Sequence, residues 1–215
     1  MKENVVSDNR QFFFGFFLLM IAMVILLVVY SKADSFMMFN GYHSKALDYF
    51  FIVYTNVGDG LFSIGIAVIL FFYRRFLTGI DIVIAFLLSG GVVQLLKYFF
   101  PMARPSVFLA NAHYSHFIEH VTLTGHASFP SGHSASAFAL ATLLSLFDKN
   151  KNRSYWYLAA AALVGYSRIY LGQHFLQDVF WGSVDGFVSA LIIWSASRKW
   201  RVANRQTTGF GKDNR

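Results

Sequence analysis

The segment QFFFGFFLLMIAMVILLVVYS, residues 11–31, decides which kind of fold this chain adopts. It carries no charged side chain over 21 residues, and about 20 apolar residues are needed to cross the hydrocarbon core of a bilayer as a helix. In the whole chain, 56% of the residues are hydrophobic and only 13% are charged, whereas soluble domains carry about 25% charged residues. The sequence therefore predicts an integral membrane protein.

A cleaved signal peptide is the alternative for this segment, because Ser31 and Ala33 form a small-x-small pattern that resembles a cleavage site. The apolar part of a signal peptide is usually about 7 to 15 residues long. The run here is longer, so a retained membrane span is favoured. The chain has no cysteine, which excludes disulfides, thiolate nucleophiles and cysteine-ligated metals.

Five further apolar stretches follow, at 49–73, 76–100, 131–147, 154–172 and 179–197, and polar or Gly- and Pro-containing turns separate them. The predicted fold class is all-α: a polytopic membrane protein built as a six-transmembrane-helix bundle. We expect a single integral membrane domain over 1–215, in which 198–215 form a flexible basic cytoplasmic tail.

Lys and Arg residues are distributed unevenly between the two sides of such a bundle. Six spans place both termini on one side, and that side holds 13 of the 18 cationic residues: Lys2, Arg10, Arg74, Arg75, Lys149, Lys151, Arg153, Arg198, Lys199, Arg201, Arg205, Lys212 and Arg215. The positive-inside rule therefore predicts cytoplasmic termini. The formal net charge of +7 then reflects orientation and attraction to anionic lipid rather than nucleic-acid binding.

The opposite, external side carries three short polar segments at the ends of predicted spans. They read KYFFPMARP (97–105), PSGH (130–133) and SRIYLGQHFLQD (167–178). With six spans, the ends of the third and fifth and the starts of the fourth and sixth face the same side. We therefore expect the three segments to meet.

The cations of these segments suit a phosphoryl group. Lys97, Arg104 and Arg168 offer many hydrogen-bond donors and no acceptor, which fits a tetrahedral dianion. Ser131 and the backbone N–H of Gly132, at a predicted helix start, add donors of the kind that bind anions.

Two histidines and a carboxylate supply the reactive groups. His174 and Asp178 are four residues apart, so on a helix they share a face, and the carboxylate holds the ring in the tautomer that leaves the other nitrogen nucleophilic. His133 protonates the departing oxygen and then activates water. The expected intermediate is a phosphohistidine. This scheme needs no metal ion or other cofactor, because the cations neutralise the charge of the transition state.

These residues resemble the three-part signature of the type 2 phosphatidic acid phosphatase superfamily, K-x6-R-P, P-S-G-H and S-R-x5-H-x3-D. Every position is filled, by Lys97, Arg104, Pro105, Pro130, Ser131, Gly132, His133, Ser167, Arg168, His174 and Asp178. The resemblance implies a membrane protein of six helices that acts through a phosphohistidine. It implies His174 as the nucleophile, Asp178 as its orienting partner and His133 as the acid and base. The residues that it implies for phosphate binding are Lys97, Arg104, Ser131, Gly132 and Arg168.

We therefore predict an integral membrane lipid phosphate phosphatase of the cell (inner) membrane, with its active site on the external or periplasmic face. The candidate substrates are undecaprenyl diphosphate, phosphatidylglycerol phosphate, phosphatidic acid and lipid A, and the segment between Arg104 and Pro130 is expected to choose among them. No further Lys or Arg follows in that segment, so a strongly polyanionic headgroup has less to hold it. A phosphotransferase of the same fold and an anion transporter are the alternatives.

Four other features remain open at this stage. Asp59 and Asp185 lie within or beside spans and need a polar partner there; Asp59 has a role at the site or a structural one, and Asp185 is expected to make an intramembrane polar contact. Gly182 and Gly186 are typical of close helix packing. The spacing of His113, His116 and His120 allows a zinc site, although a solvated, partly aromatic loop that covers the active site or contacts the lipid headgroup is the favoured interpretation.

Overall fold

The structure is a computed structural model that describes residues 8–110, 117–118 and 121–207, with side chains described to 203. Nine α-helices and no strand occur in this part of the chain. They are α1 (Arg10–Val29), α2 (Lys32–Asn40), α3 (Lys45–Tyr54), α4 (Gly60–Phe72), α5 (Phe76–Phe99), α6 (Pro105–Phe108), α7 (Gly132–Phe147), α8 (Ser154–Tyr170) and α9 (Leu176–Thr207). Short 3-10 turns lie at Thr55–Gly58 and Lys151–Arg153. The all-α prediction is confirmed for the described residues.

Three of the described helices are long and apolar enough to cross a membrane: α1, α5 and the Leu176–Ala203 part of α9. A fourth span results if α3 and α4 are counted together as one bent pair. The helices α7 and α8 have 16 and 17 residues, about 24 to 26 Å at 1.5 Å per residue, which is less than the ~30 Å hydrocarbon core. Six spans and cytoplasmic termini therefore stay predictions.

The predicted span 49–73 is broken near its middle. Its two halves, Lys45–Gly58 and Gly60–Phe72, meet at an angle of 59°. Asp59 stands at the break, where its carboxylate accepts the backbone N–H of Leu61 at 2.8 Å and so caps α4. A Cβ on Gly58 would lie 2.9 Å from the carbonyl oxygen of His133. The break therefore packs tightly against the start of α7.

The helix α7 lies at the centre of the bundle, between α5, α8 and α9. Most of its residues are buried. A Cβ on Gly182 or Gly186 of α9 would collide with the carbonyl oxygen of Ser131 or Ala135, so the two glycines allow α9 to lie directly on α7, as their spacing indicated. On the other side, Phe16 of α1 stacks on Phe187 of α9, with ring centroids 4.0 Å apart.

The last helix runs past the predicted end of the sixth span at 197 and continues to Thr207. Arg201 pairs there with Asp81 near the start of α5, and the hydroxyl of Ser197 donates to the same carboxylate at 3.0 Å. Residues 198–207 of the predicted tail thus continue the helix, and 208–215 lie outside the described residues. The single domain and the flexible tail stay predictions.

Candidate active site

The three predicted segments meet at one end of the bundle. Lys97 lies in the last turn of α5, Arg104 immediately before α6, His133 in the first turn of α7 and Arg168 in the last turn of α8. His174 lies two residues before α9, and Asp178 lies in its first turn. The backbone N–H of Ser131 donates to the carbonyl of Asp178 at 2.9 Å, and Nη1 of Arg104 donates to the carbonyl of Gln173 at 3.0 Å. Backbone contacts therefore join the segments directly.

His174 and Asp178 face each other, but not as neighbours on one helix. His174 precedes α9, and its Nδ1 lies 3.6 Å from Oδ2 of Asp178. That oxygen accepts the Ser128 hydroxyl at 2.6 Å and the Phe175 backbone N–H at 3.0 Å. The carboxylate thus reaches back over the helix start, as the third residue does in a capping box. The expectation that both residues share a helical face is wrong, because the helix begins after His174.

Burial controls the charge of His174, whose side chain is 3% exposed. Burial is the largest cause that lowers its pKa to about 4; Asp178 opposes the shift, and Arg168 and Arg104 add to it. The imidazole is therefore neutral at neutral pH. Because Asp178 faces Nδ1, we assign the ring proton to Nδ1, and Nε2 then carries the lone pair.

Both arginines of the site are buried, and both donate to neutral oxygens. Besides its bond to Gln173, Arg104 donates from Nη2 to the carbonyl of Ala127 at 3.1 Å, and burial lowers the pKa of its guanidinium, with Asp178 opposing. Arg168 donates from Nη1 to the hydroxyl of Thr55 at 2.6 Å and from Nη2 to the side-chain oxygen of Gln173. Among the described residues, no carboxylate forms an ion pair with either guanidinium. Their charge is left for an anion.

Buried polar atoms without a hydrogen-bond partner cluster in the same place. Within the described part of the chain they include Nε of Arg168, Nδ1 of His174 and Oδ1 of Asp178. Buried polar groups normally find a partner, and each one left without costs about 1–3 kcal/mol. Of these, Nε of Arg168 is an unpartnered donor that suits an anion, whereas Nδ1 of His174 faces the Asp178 carboxylate at 3.6 Å.

His133 and Lys97 complete the group. Electrostatic interactions link His133 to Arg168, His174, Asp59 and Lys97, and they link Lys97 to both arginines and Asp178. Asp59, whose carboxylate caps α4, is therefore also close to the site.

Ser131 and Gly132 begin α7 beside these groups. The Ser131 hydroxyl accepts the Ser134 hydroxyl at 2.9 Å and the Ser134 backbone N–H at 3.4 Å, so it caps the helix. The structure thus brings together every site residue that the sequence predicted, while their roles stay predictions.

Three site contacts were missed by the sequence analysis: Thr55, Ser128 and Gln173. Ser128 stands two residues before Pro130, and Gln173 lies within the quoted segment 167–178, one residue before His174. That proximity is the only signal in the sequence for them. Thr55 stands in the turn between α3 and α4 and has no such signal.

Of the remaining open features, Asp185 is clarified in part and the histidine cluster is not. Asp185 accepts the Ser189 hydroxyl at 3.4 Å, which is the expected intramembrane contact, and its second carboxylate oxygen is buried without a partner. His113, His116 and His120 lie outside the described residues. The described ranges contain no group of three His, Cys, Asp or Glu residues that could hold a metal ion.

Comparison with known proteins gives a consistent result. The model of the PAP2 superfamily matches residues 78–201. A lipid A 4'-phosphatase from Porphyromonas gingivalis is 31% identical over 179 residues, which cover 76% of this chain and 73% of that protein. Phosphatidylglycerophosphatase B from Bacillus subtilis is 32% identical over 152 residues, covering 65% and 70%.

Two crystal structures resemble the fold. Aquifex aeolicus LpxE is 31% identical with a TM-score of 0.64, and the match covers 76% of this chain and 94% of that one. The first transmembrane PAP2 type phosphatidylglycerolphosphate phosphatase from Bacillus subtilis is 25% identical with a TM-score of 0.65, covering 89% and 96%.

Proposed function

The chain belongs to the PAP2 superfamily, and from this premise we propose that it is an integral membrane phosphatase that removes the terminal phosphate of a lipid. One observation carries the proposal. Arg104 and Arg168 are 7% and 4% exposed, donate to neutral oxygens within the described part of the chain, and lie beside the neutral imidazole of His174. Burying two cations is costly unless an anion accompanies them, and a phosphoryl dianion beside a nucleophile provides one.

Binding comes first in the proposed mechanism. The guanidinium groups of Arg104 and Arg168 and the ammonium of Lys97 surround the phosphoryl oxygens, and the unpartnered Nε of Arg168 supplies a free N–H. Guanidinium groups match phosphate oxygens in a bidentate fashion. The cations also neutralise the charge that develops on these oxygens during transfer, which is the main catalytic requirement of this chemistry.

In the first chemical step, Nε2 of His174 attacks the phosphorus atom and the bond to the lipid oxygen breaks. His133 passes to the departing oxygen a proton that enters the site on the phosphate group of the substrate, so that the lipid leaves as an alcohol or as a lipid monophosphate. The carboxylate of Asp178 stabilises the proton on Nδ1 of the phosphohistidine.

In the second step, His133 removes a proton from water, and the hydroxide attacks the phosphohistidine. The N–P bond breaks, inorganic phosphate leaves with the proton that His133 took from water, and His174 and His133 return to their starting states. One water molecule is consumed for each phosphate released.

The site is proposed to face the outer boundary of the membrane, with six spans and cytoplasmic termini. The end of α5, the start of α7, the end of α8 and the start of α9 all lie at this end of the bundle, as alternating spans require. Lipid A and phosphatidylglycerol phosphate stand first among the candidate substrates because of the relatives, with undecaprenyl diphosphate and phosphatidic acid beside them.

The test is phosphate release by purified enzyme in detergent from a panel of these lipids, with and without excess EDTA. We expect His174→Ala to abolish release under both conditions, whereas Lys149→Ala, a change at an exposed position after the opposite end of α7, leaves it intact. Full turnover by His174→Ala would refute the mechanism. Transfer of phosphate to an added lipid or sugar acceptor instead of water would identify a phosphotransferase.

A further inference from the structure

Gln173 connects both buried arginines to one residue. Its backbone carbonyl accepts Nη1 of Arg104 at 3.0 Å, and its side-chain oxygen accepts Nη2 of Arg168. Its side-chain nitrogen donates to the carbonyl of Val121 at 2.9 Å. Gln173 is buried and immediately precedes His174 in the sequence. One residue therefore holds both guanidinium groups in place relative to the imidazole.

We propose that Gln173 is a positioning residue that sets the two arginines for an anion, and that a neutral side chain is essential at this place. The inference rests on the proposed function in one respect: it takes the anion to be the phosphoryl group of the substrate.

The chemistry of the amide explains the requirement. A buried guanidinium needs acceptors, and a carboxylate would bind it more strongly than an amide does. However, a carboxylate would also neutralise the positive charge of Arg168, which the phosphate needs for binding. A carboxylate also has no N–H to donate to Val121. An amide accepts from Arg168 and donates to Val121 without adding charge. Among the residues that the structure describes, the other acceptors of the two arginines, Thr55 and Ala127, are likewise neutral.

The turn that carries Gln173 is also built around Arg168. The backbone N–H groups of Gln173 and His174 both donate to the carbonyl of Arg168, at 3.0 and 3.2 Å. Gly172 has a φ of 66°, in the left-handed region that favours glycine. The turn thus fixes the backbone of Gln173, and its side chain reaches Arg168 from a defined direction.

Two substitutions separate positioning from mere packing. Gln173→Met keeps the approximate shape and removes both side-chain hydrogen bonds, whereas Gln173→Glu keeps the acceptor and adds a negative charge. The same changes at Gln177 are the matched controls, because Gln177 lies one turn further on and its side-chain nitrogen contacts the sulfur of Met102 at 3.6 Å. The measurements are KM, kcat, the inhibition constant of inorganic phosphate and the unfolding temperature of the full-length protein.

We expect Gln173→Met to raise KM and the phosphate inhibition constant about tenfold, the loss typical of a hydrogen bond to a charged group. Gln173→Glu is expected to raise both by more, while its unfolding temperature equals or exceeds that of the wild type, since the new carboxylate pairs with Arg168. If Gln173 had only a structural role, a Gln173→Glu variant as stable as the wild type would bind the anion as tightly as the wild type does. The Gln177 variants should stay within about twofold of the wild type.

The proposal is overturned if Gln173→Glu binds phosphate as tightly as the wild type. It is also overturned if Gln177→Glu weakens phosphate binding as much as Gln173→Glu does. Equilibrium binding of orthophosphate to purified protein gives the same comparison without turnover. If the wild type hydrolyses no lipid phosphate, the proposed function fails, and weaker orthophosphate binding by Gln173→Glu than by Gln177→Glu would still support the positioning role.

Discussion

The hydroxyl of Ser128 donates to Oδ2 of Asp178 at 2.6 Å, although 50 residues separate them in the chain. Both side chains are fully buried. The bond ties the segment before α7 to the first turn of α9, and it orients the carboxylate that faces His174. Ser128 therefore belongs to the site, even though the three-part signature does not contain it.

Ser128→Ala is expected to lower kcat about 10- to 100-fold, because a hydrogen bond to a charged group contributes about 1.5–3 kcal/mol. KM should change little, since Ser128 donates to Asp178 rather than to the arginines. Steady-state kinetics on the preferred lipid phosphate give both numbers. Ser106→Ala is the control, because the Ser106 hydroxyl donates to the carbonyl of Leu123 in an exposed contact outside the site. Equal kcat values for the two variants would contradict the role of Ser128.

Arg104→Lys and Arg168→Lys are expected to reduce kcat/KM strongly, although the charge is retained. An ammonium cannot donate along the two directions that a guanidinium provides. Lysine at 104 would lose at least one of the bonds to Gln173 and Ala127, and lysine at 168 at least one of those to Thr55 and Gln173. We expect losses of about 100-fold, equivalent to roughly 2.7 kcal/mol. The replacement Lys45→Arg, at an exposed position, should have no effect in the same assay.

The residues of the site were predictable, whereas part of their geometry was not. Charge, histidine content and motif order pointed to Lys97, Arg104, His133, Arg168 and His174, because cations and imidazoles at the ends of apolar spans are conspicuous. The start of α9 was placed wrongly, because a left-handed glycine turn and the capping contact of the Asp178 carboxylate decide where that helix begins. A periodic pattern contains neither.

The break in the second span also escaped the pattern. The stretch at the bend, TNVGDG at 55–60, contains two glycines and an aspartate, but the apolar runs on both sides of it favoured one span over 49–73. The bend depends on the cap of Asp59 and the close approach of Gly58 to α7. Thr55 stands in the turn at this bend, and its contact with Arg168 follows from the bend and not from the sequence pattern. Buried polar contacts between distant segments depend on tertiary packing, and single residues such as Thr55 and Gln173 carry no sign of them.

The pair of Asp81 and Arg201 is expected to stabilise the other end of the bundle without affecting catalysis. Asp81 is 4% exposed, so Arg201→Ala leaves a buried carboxylate without its ionic partner, which is strongly destabilising in comparable cases. We expect a lower unfolding temperature and unchanged kcat for the folded fraction. In the double variant with Arg201→Ala, Asp81→Asn should restore part of the lost unfolding temperature, because the unpaired buried charge is then removed. An additive effect of the two substitutions would contradict the pairing.

The proposed topology is testable because the chain has no cysteine. A cysteine at exposed Leu123, close to the site, should react with a membrane-impermeant thiol reagent added outside intact cells. A cysteine at exposed Lys149, after the opposite end of α7, should react only after the cells are opened. Reversed labelling would place the site in the cytoplasm and overturn the orientation, while labelling of both from outside would contradict a membrane-spanning α7.

His174 should make stability depend on pH in a defined direction. Its pKa is lowered from about 6.5 to about 4 in the folded protein, so the unfolded chain binds the proton more readily. Its contribution to stability is therefore fully present above pH 6.5 and is lost as the pH falls from 6.5 towards 4, by up to about 1.4 kcal/mol per pH unit. Unfolding temperatures between pH 4 and 8 should fall more steeply on acidification for the wild type than for His174→Gln, which has no titrating group at position 174. Parallel curves for the two proteins would show that the folded protein accepts a proton at His174 as easily as the unfolded chain does, and the neutral nucleophile would then lose its physical basis.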